Sequence, residues 1–165
     1  NGCLRVLDPA LGDQDTYADL SQYLVDAIPL SDPNLISVDA NHAMEIPFFA
    51  EPEHMWCYFY TKAELARQKS NWQEIIRLVD EANILGYKPE DPFEWLPYVE
   101  AQAVTGNVEA AEKMSVALLK REKRINKGLC QVKVPQKARL GSKLSRHYPN
   151  FNAHNRIPLI SHSKT

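Results

Sequence analysis

No run of roughly 18 or more apolar residues occurs anywhere in the chain, so no segment reads as a membrane-spanning helix. No signal-peptide pattern stands at its start either. Glycine is scarce, with six residues against eleven prolines. That balance argues against a sheet with many tight turns and favours helices joined by stiff loops. Cysteine is scarcer still: Cys3, Cys57 and Cys130 are too few and too scattered for a disulfide framework or a zinc site. An odd count leaves at least one thiol unpaired, and we expect buried packing thiols. A single bridge, Cys3 to Cys130, is the alternative in an oxidising compartment.

What is present is ordinary in bulk and uneven along the chain. The 165 residues are 44% hydrophobic and 24% charged, enough for one globular domain with a core. The net charge of −2 conceals a split between two stretches. Residues 1–119 hold 20 acidic and 7 basic side chains, a balance of −13, whereas residues 120–165 hold 1 and 12, a balance of +11. The two stretches need separate readings. The chain opens on Asn1 followed by the apolar run Leu4 to Leu7, so a preceding segment is expected.

Helical spacing dominates the middle. Asp15 or Thr16 is placed to cap a helix reaching Ile28, with Leu20, Tyr23, Leu24 and Ala27 on one face. Residues 29–52 contain four prolines and read as a connector laid over the helices, pinned by Ile46-Pro47-Phe48-Phe49. Helices are predicted over 53–68 and 72–85, with Asn71 as N-cap, Gly86 just past the end and Pro89 blocking continuation. Asp91 and Pro92 start a third helix, which Pro97 kinks or delays before Thr105. Asn107 caps a fourth that runs to Lys123.

These helices repeat at a spacing of 36 residues: Phe59 aligns with Trp95, Ala63 with Val99, Asn71 with Asn107, Ile75 with Ala111 and Ala82 with Leu118. Each unit is a helix, a tight turn and a second helix, and small residues such as Ala63, Ala66, Ala82 and Ala111 let the helices approach closely. Ser70-Asn71-Trp72-Gln73-Glu74 and Gly106-Asn107-Val108-Glu109-Ala110-Ala111 resemble the Gly-Asp-Tyr-x-x-Ala turn of the tetratricopeptide repeat. Lys62 and Ile75 depart from that pattern, where leucine and alanine are usual. The expected fold class is therefore all-α. It comprises residues 1–52 as arm, capping helix and connector, residues 53–124 as two hairpins (53–85 and 91–123) in a short solenoid, and residues 125–165 as a disordered basic tail.

Longer strings carry a second resemblance. Glu51-Pro-Glu-His-Met-Trp-Cys-Tyr-Phe-Tyr-Thr-Lys-Ala-Glu-Leu-Ala-Arg-Gln68, Glu94-Trp-Leu-Pro-Tyr-Val-Glu-Ala101 and Cys3-Leu-Arg-Val-Leu-Asp-Pro9 are similar to the soluble C-terminal domain of a group of bacterial polytopic membrane proteins. That group is related to glycosyltransferases that use lipid-linked sugars. The resemblance spans residues 1 to about 132 and ends where Lys133-Val134-Pro135 replaces the expected aromatic and helix. It implies a domain held beside a membrane by its parent on the extracytoplasmic side, with the cytoplasm as the alternative. It transfers no catalytic residue, because the transferase part would precede Asn1. The residues after 132 are either an authentic basic tail or a shifted reading frame.

Candidate chemistry is thin. Asp39, His42 and Glu45, with Glu51, Glu53 and His54, have metal-ligand residue types, but loop spacing fixes no common face, and we read a solvated loop. His54 and Cys57 share a helical face, yet no nucleophile elbow or oxyanion turn accompanies them. We assign no catalytic residue, no metal and no cofactor. Phe59, Trp72 and Trp95 read as core, whereas Tyr60, Tyr98 and Gln102 are the residues expected to meet a protein partner. Lys120, Arg121, Lys123, Arg124 and Lys127 are the candidates for contact with an anionic membrane surface; a nucleic-acid partner is disfavoured because no nucleic-acid fold accompanies them. The expected function is a non-enzymatic accessory and protein-interaction domain, whose partner is another protein or another part of the parent. The alternatives are a direct role in binding a transferase's acceptor and a membrane-surface module.

Overall fold

The computed structural model describes residues 2–11, 13, 20–30, 32–35 and 53–132. Among these residues the protein is all-α, without a strand. The helices are α1 (Gln22–Ala27), α2 (Trp56–Gln68), α3 (Trp72–Ile84), α4 (Leu96–Val104), α5 (Val108–Arg121) and α6 (Asn126–Gln131). Helix α2 packs on α3 and on α4, α3 also packs on α4, and α4 on α5.

Each of these packings follows from side-chain spacing. Helix α3 buries Ile75, Leu78, Val79 and Ala82, the i, i+3, i+4, i+7 stripe of an amphipathic helix. They meet Trp56, Phe59, Tyr60, Ala63 and Ala66 of α2 in one core cluster. A second cluster joins Phe93, Leu96, Val99, Ala103, Ala111, Leu118 and Leu119. Trp95 is packed against both clusters and couples them.

The turns between helices are built alike. After α2, Ser70 takes a left-handed φ of 54° and the Asn71 N–H donates to the Ala66 carbonyl at 2.9 Å. After α4, Gly106 has φ 93° and the Asn107 N–H donates to the Gln102 carbonyl at 2.8 Å. Ser70 and Gly106, like Asn71 and Asn107, stand 36 positions apart. The caps differ. Asn71 accepts from the Glu74 N–H at 3.4 Å, whereas the Asn107 amide instead donates to the Gln102 side chain at 2.9 Å. Asn107 therefore holds the N-cap position without the capping bond predicted for it.

Helix α2 begins three residues later than the sequence suggests, with Met55 at its N-cap. Ahead of α4, Asp91 caps a 3-10 turn, Pro92–Trp95, by accepting from the Phe93 N–H at 3.0 Å. Pro97 then occupies the first turn of α4, where its missing N–H costs nothing. The delay expected at Pro97 is this 3-10 segment. Helix α5 stops at Arg121, where Glu122 turns extended at φ −143°.

Two expectations need correction. Residues 125–165 were assigned to a basic tail, but Asn126–Gln131 is a helix, and Ile125 and Leu129 sit in the second core cluster. The remaining tail, 133–165, lies outside the described residues, as do 36–52 of the connector and 14–19 of the first predicted helix. The described part of that helix, α1, buries none of its residues, and Tyr23 is 81% exposed. Leu20, just before it, packs on the second cluster, but α1 itself does not cover the core.

The segment that does lie on the helices is the arm, residues 2–8. Cys3 is disulfide-bonded to Cys57 on α2, with the Cα atoms 5.2 Å apart, and Cys130 keeps its thiol. This replaces the predicted alternatives, packing thiols throughout or a Cys3–Cys130 bridge. Further along the arm, the Cys3 N–H donates to Glu94 at 2.6 Å and Arg5 pairs with Asp91 at 2.7 Å. The arm thus spans α2 and the turn that starts α4.

Candidate interaction groove

A groove of about 430 Å³ opens beside α5. Its wall is the stripe Ala110, Lys113, Met114, Ala117, Leu118 and Arg121, spaced i, i+3, i+4, i+7, i+8, i+11 along one helix face. The neighbouring face of α5, with Ala111, Ser115 and Leu119, is buried, and so is Leu118 at the base of the groove. Trp95 and Tyr98 complete the lining. Small side chains at 110 and 117 leave the space, and Met114 offers an adaptable apolar surface.

Rigid neighbours hold the aromatic side. The Trp95 ring lies 5.5 Å from Trp56 and 6.0 Å from Tyr98, centroid to centroid. The Tyr98 hydroxyl donates to Asp80 on α3 at 2.8 Å. Burial, reinforced by that bond to Asp80, pushes the Tyr98 hydroxyl up to about 12, so it stays a neutral donor at physiological pH. Two cations flank the apolar stripe, Lys113 and Arg121, both exposed. Neither makes an ion pair among the described residues. They stand about 12 Å apart along the helix axis at 1.5 Å per residue.

Of the residues predicted to meet a partner, the structure places Tyr98 in this groove. Tyr60 is 1% exposed inside the first core cluster, so it offers no surface to a partner. Gln102 is buried too, its side chain tying down the turn at Asn107. Both assignments are corrected by burial. Lys120, Arg121, Lys123, Arg124 and Lys127 are all exposed near the end of α5 and the start of α6. Arg124 is engaged by Glu122 at 3.1 Å.

The other polar centre is one the sequence reading missed. Arg67, 4% exposed, donates from both terminal nitrogens to Asp13 at 2.9 Å and from Nε to Glu100 at 2.8 Å. Glu64, one turn back on α2, lies 3.9 Å from the same guanidinium. Asp13 also accepts from the Asp8 N–H at 2.7 Å, which ties the arm to the cluster. The signal was present: Arg67 falls at i+4 from Ala63 and i+7 from Tyr60, on a face that should be apolar. Two of its partners, Asp13 and Glu100, come from distant segments, so no local spacing reveals them. The cavity beside Arg67 and Glu100 is about 10 Å³, room for a single water. The geometry is that of a buried staple rather than a reaction site.

Cys57 is consumed by the disulfide, so the His54–Cys57 pair has no thiolate, and the His54 ring stacks on Tyr58 at 3.6 Å. Glu53 accepts from the Tyr87 hydroxyl. Asp39, His42, Glu45 and Glu51 lie outside the described residues. Among the described residues, no group of three or more His, Cys, Asp or Glu is placed to hold a metal ion. None of the described helices is long and apolar enough to cross a membrane. No protein-family model, no curated protein and no solved structure matches the chain.

Proposed function

We propose that this chain is a non-enzymatic protein-interaction domain of tetratricopeptide-like build, whose working surface is the groove along α5. The observation that carries the reading is the groove along α5, with Ala110, Met114 and Ala117 between the exposed cations Lys113 and Arg121, and with Trp95 and Tyr98 completing the lining. Open apolar surface of this kind marks an interaction site in a folded domain. The two-hairpin solenoid is supported by the shared cores: Ala63 and Ala82 lie in one cluster, Val99 and Ala111 in the other. It is also supported by the matching turns at Asn71 and Asn107.

On this reading the domain is the soluble C-terminal part of a bacterial membrane protein related to lipid-linked-sugar glycosyltransferases. It positions that parent or its partner, and the membrane association belongs to the parent chain. A photo-crosslinking amino acid at Ala117, inside the groove, tests the interaction. It should form a discrete adduct with a polypeptide in cells, whereas the same probe at Glu109, exposed on the first turn of α5, should not. No adduct from Ala117, or equal adducts from both sites, removes the reading.

A further inference from the structure

Two surfaces among the described residues expose apolar side chains, and their charges are complementary. One is the groove, apolar at its centre with Lys113 and Arg121 at its flanks. The other is the outer face of α1 and of the 3-10 turn that follows it, Ile28–Leu30, in which Ile28 itself is buried. Tyr23 is 81% exposed, Leu24 44% and Leu30 87%, an unusual display of large apolar side chains in one short segment. The charges beside them are acidic: Asp26 lies one turn after Tyr23, and Asp32 follows Leu30, both exposed. Among the described residues, Asp26 accepts from Gln22 and Asp32 from Asn34. No cation pairs with either among the described residues.

We propose that the groove is occupied by α1 of a second copy of this chain, forming a reciprocal dimer. The inference rests on the groove being the interaction surface proposed above and names its occupant. An amphipathic helix laid in an apolar groove is a recurrent recognition mode, read through anchors on one helix face. Here Tyr23, Leu24 and Leu30 are the anchors, and Trp95, Met114 and Ala117 receive them. Asp26 and Asp32 bring two carboxylates to the two cations. Because each copy carries both the helix and the groove, a two-fold arrangement satisfies both surfaces twice and closes the assembly.

The test is the oligomeric state of the full 165-residue chain. Sedimentation velocity between about 1 and about 100 μM covers the affinity range of modest interfaces. A monomer–dimer equilibrium is expected, and Ala117→Arg should weaken it at least about tenfold. The pair Lys113→Glu with Arg121→Glu should also weaken it, and so should Asp26→Lys with Asp32→Lys. Combining all four charge reversals should restore it, since each copy then presents the opposite signs to its partner. Near-ultraviolet circular dichroism of the tryptophans confirms that each variant is folded.

A chain that stays monomeric throughout, or a dimer indifferent to both charge sets, overturns the proposal. So does failure of the fourfold variant to associate while the native chain does. These outcomes separate the inference from the reading beneath it. A monomer that still crosslinks from Ala117 to a different polypeptide loses the dimer and keeps the interaction domain. A chain with no adduct at all loses both.

Discussion

Arg67 shows how one residue can organise a fold without any chemistry of its own. Its guanidinium joins Asp13 from beyond the arm, Glu100 from α4 and Glu64 from its own helix, all of them buried. Removing it strands carboxylates that water cannot reach. Arg67→Leu is therefore expected to cost about 3–5 kcal/mol in a denaturant titration. Arg67→Lys should recover only part of that, because a lysine cannot serve two carboxylates through a planar fork. Equal loss for both, or none for either, would contradict the staple. Tyr98 gives a pH signature at the same scale. Its hydroxyl is raised from an ordinary 10.0 to about 12, so the folded state holds that proton more tightly than the unfolded state. The stability it contributes is complete below pH 10 and fades as the pH rises through about 12. An absorbance titration should show a tyrosine phase near pH 12 that Tyr98→Phe removes, and Asp80→Asn should bring it back only partly, since burial is the larger cause.

At the scale of elements, the two turns make opposite choices at one structural position. Ser70 and Gly106 both adopt positive φ, and only Gly106 does so without a side-chain clash. Ser70→Gly should raise stability by roughly 0.5 kcal/mol and Gly106→Ala should lower it by about 1 kcal/mol, as read from urea midpoints. The reverse order would mean that the turns are not equivalent. These elements were legible in the sequence because Gly86, Pro89, Asn71 and Asn107 are local signals. Helix α6 was not, because Ile125 and Leu129 are embedded among Lys123, Arg124 and Lys127, and average charge hid a two-residue apolar contact. The groove was half legible. Tyr98 announced itself as a polar-tipped aromatic on a helix, and Tyr60 read the same way. What separates them is which side of α2 and α4 the neighbouring helices cover, a tertiary fact. The disulfide was beyond reach for a similar reason: three cysteines allow several pairings, and only the path of the arm selects Cys57.

For the whole molecule, the arm closes a long loop. The Cys3–Cys57 bridge has a sequence separation of 54, and tethering a loop of that length stabilises by about 4 kcal/mol in the chain-entropy account. Reduction should lower the unfolding midpoint accordingly, and Cys57→Ser should reproduce the reduced protein even without reductant. A midpoint indifferent to reductant would show that the bond contributes nothing to stability. The arm's other ties, to Glu94, Asp91 and Asp13, should persist after reduction and leave the folded helices in place. The route of the arm also has a mechanical consequence. Tension applied at residue 2 is transmitted through a covalent bond to Cys57, the exposed second residue of α2. Pulling from that end would therefore not peel the arm away. It would load the first turn of α2 at once, and a tether fused ahead of this chain would take hold of that helix.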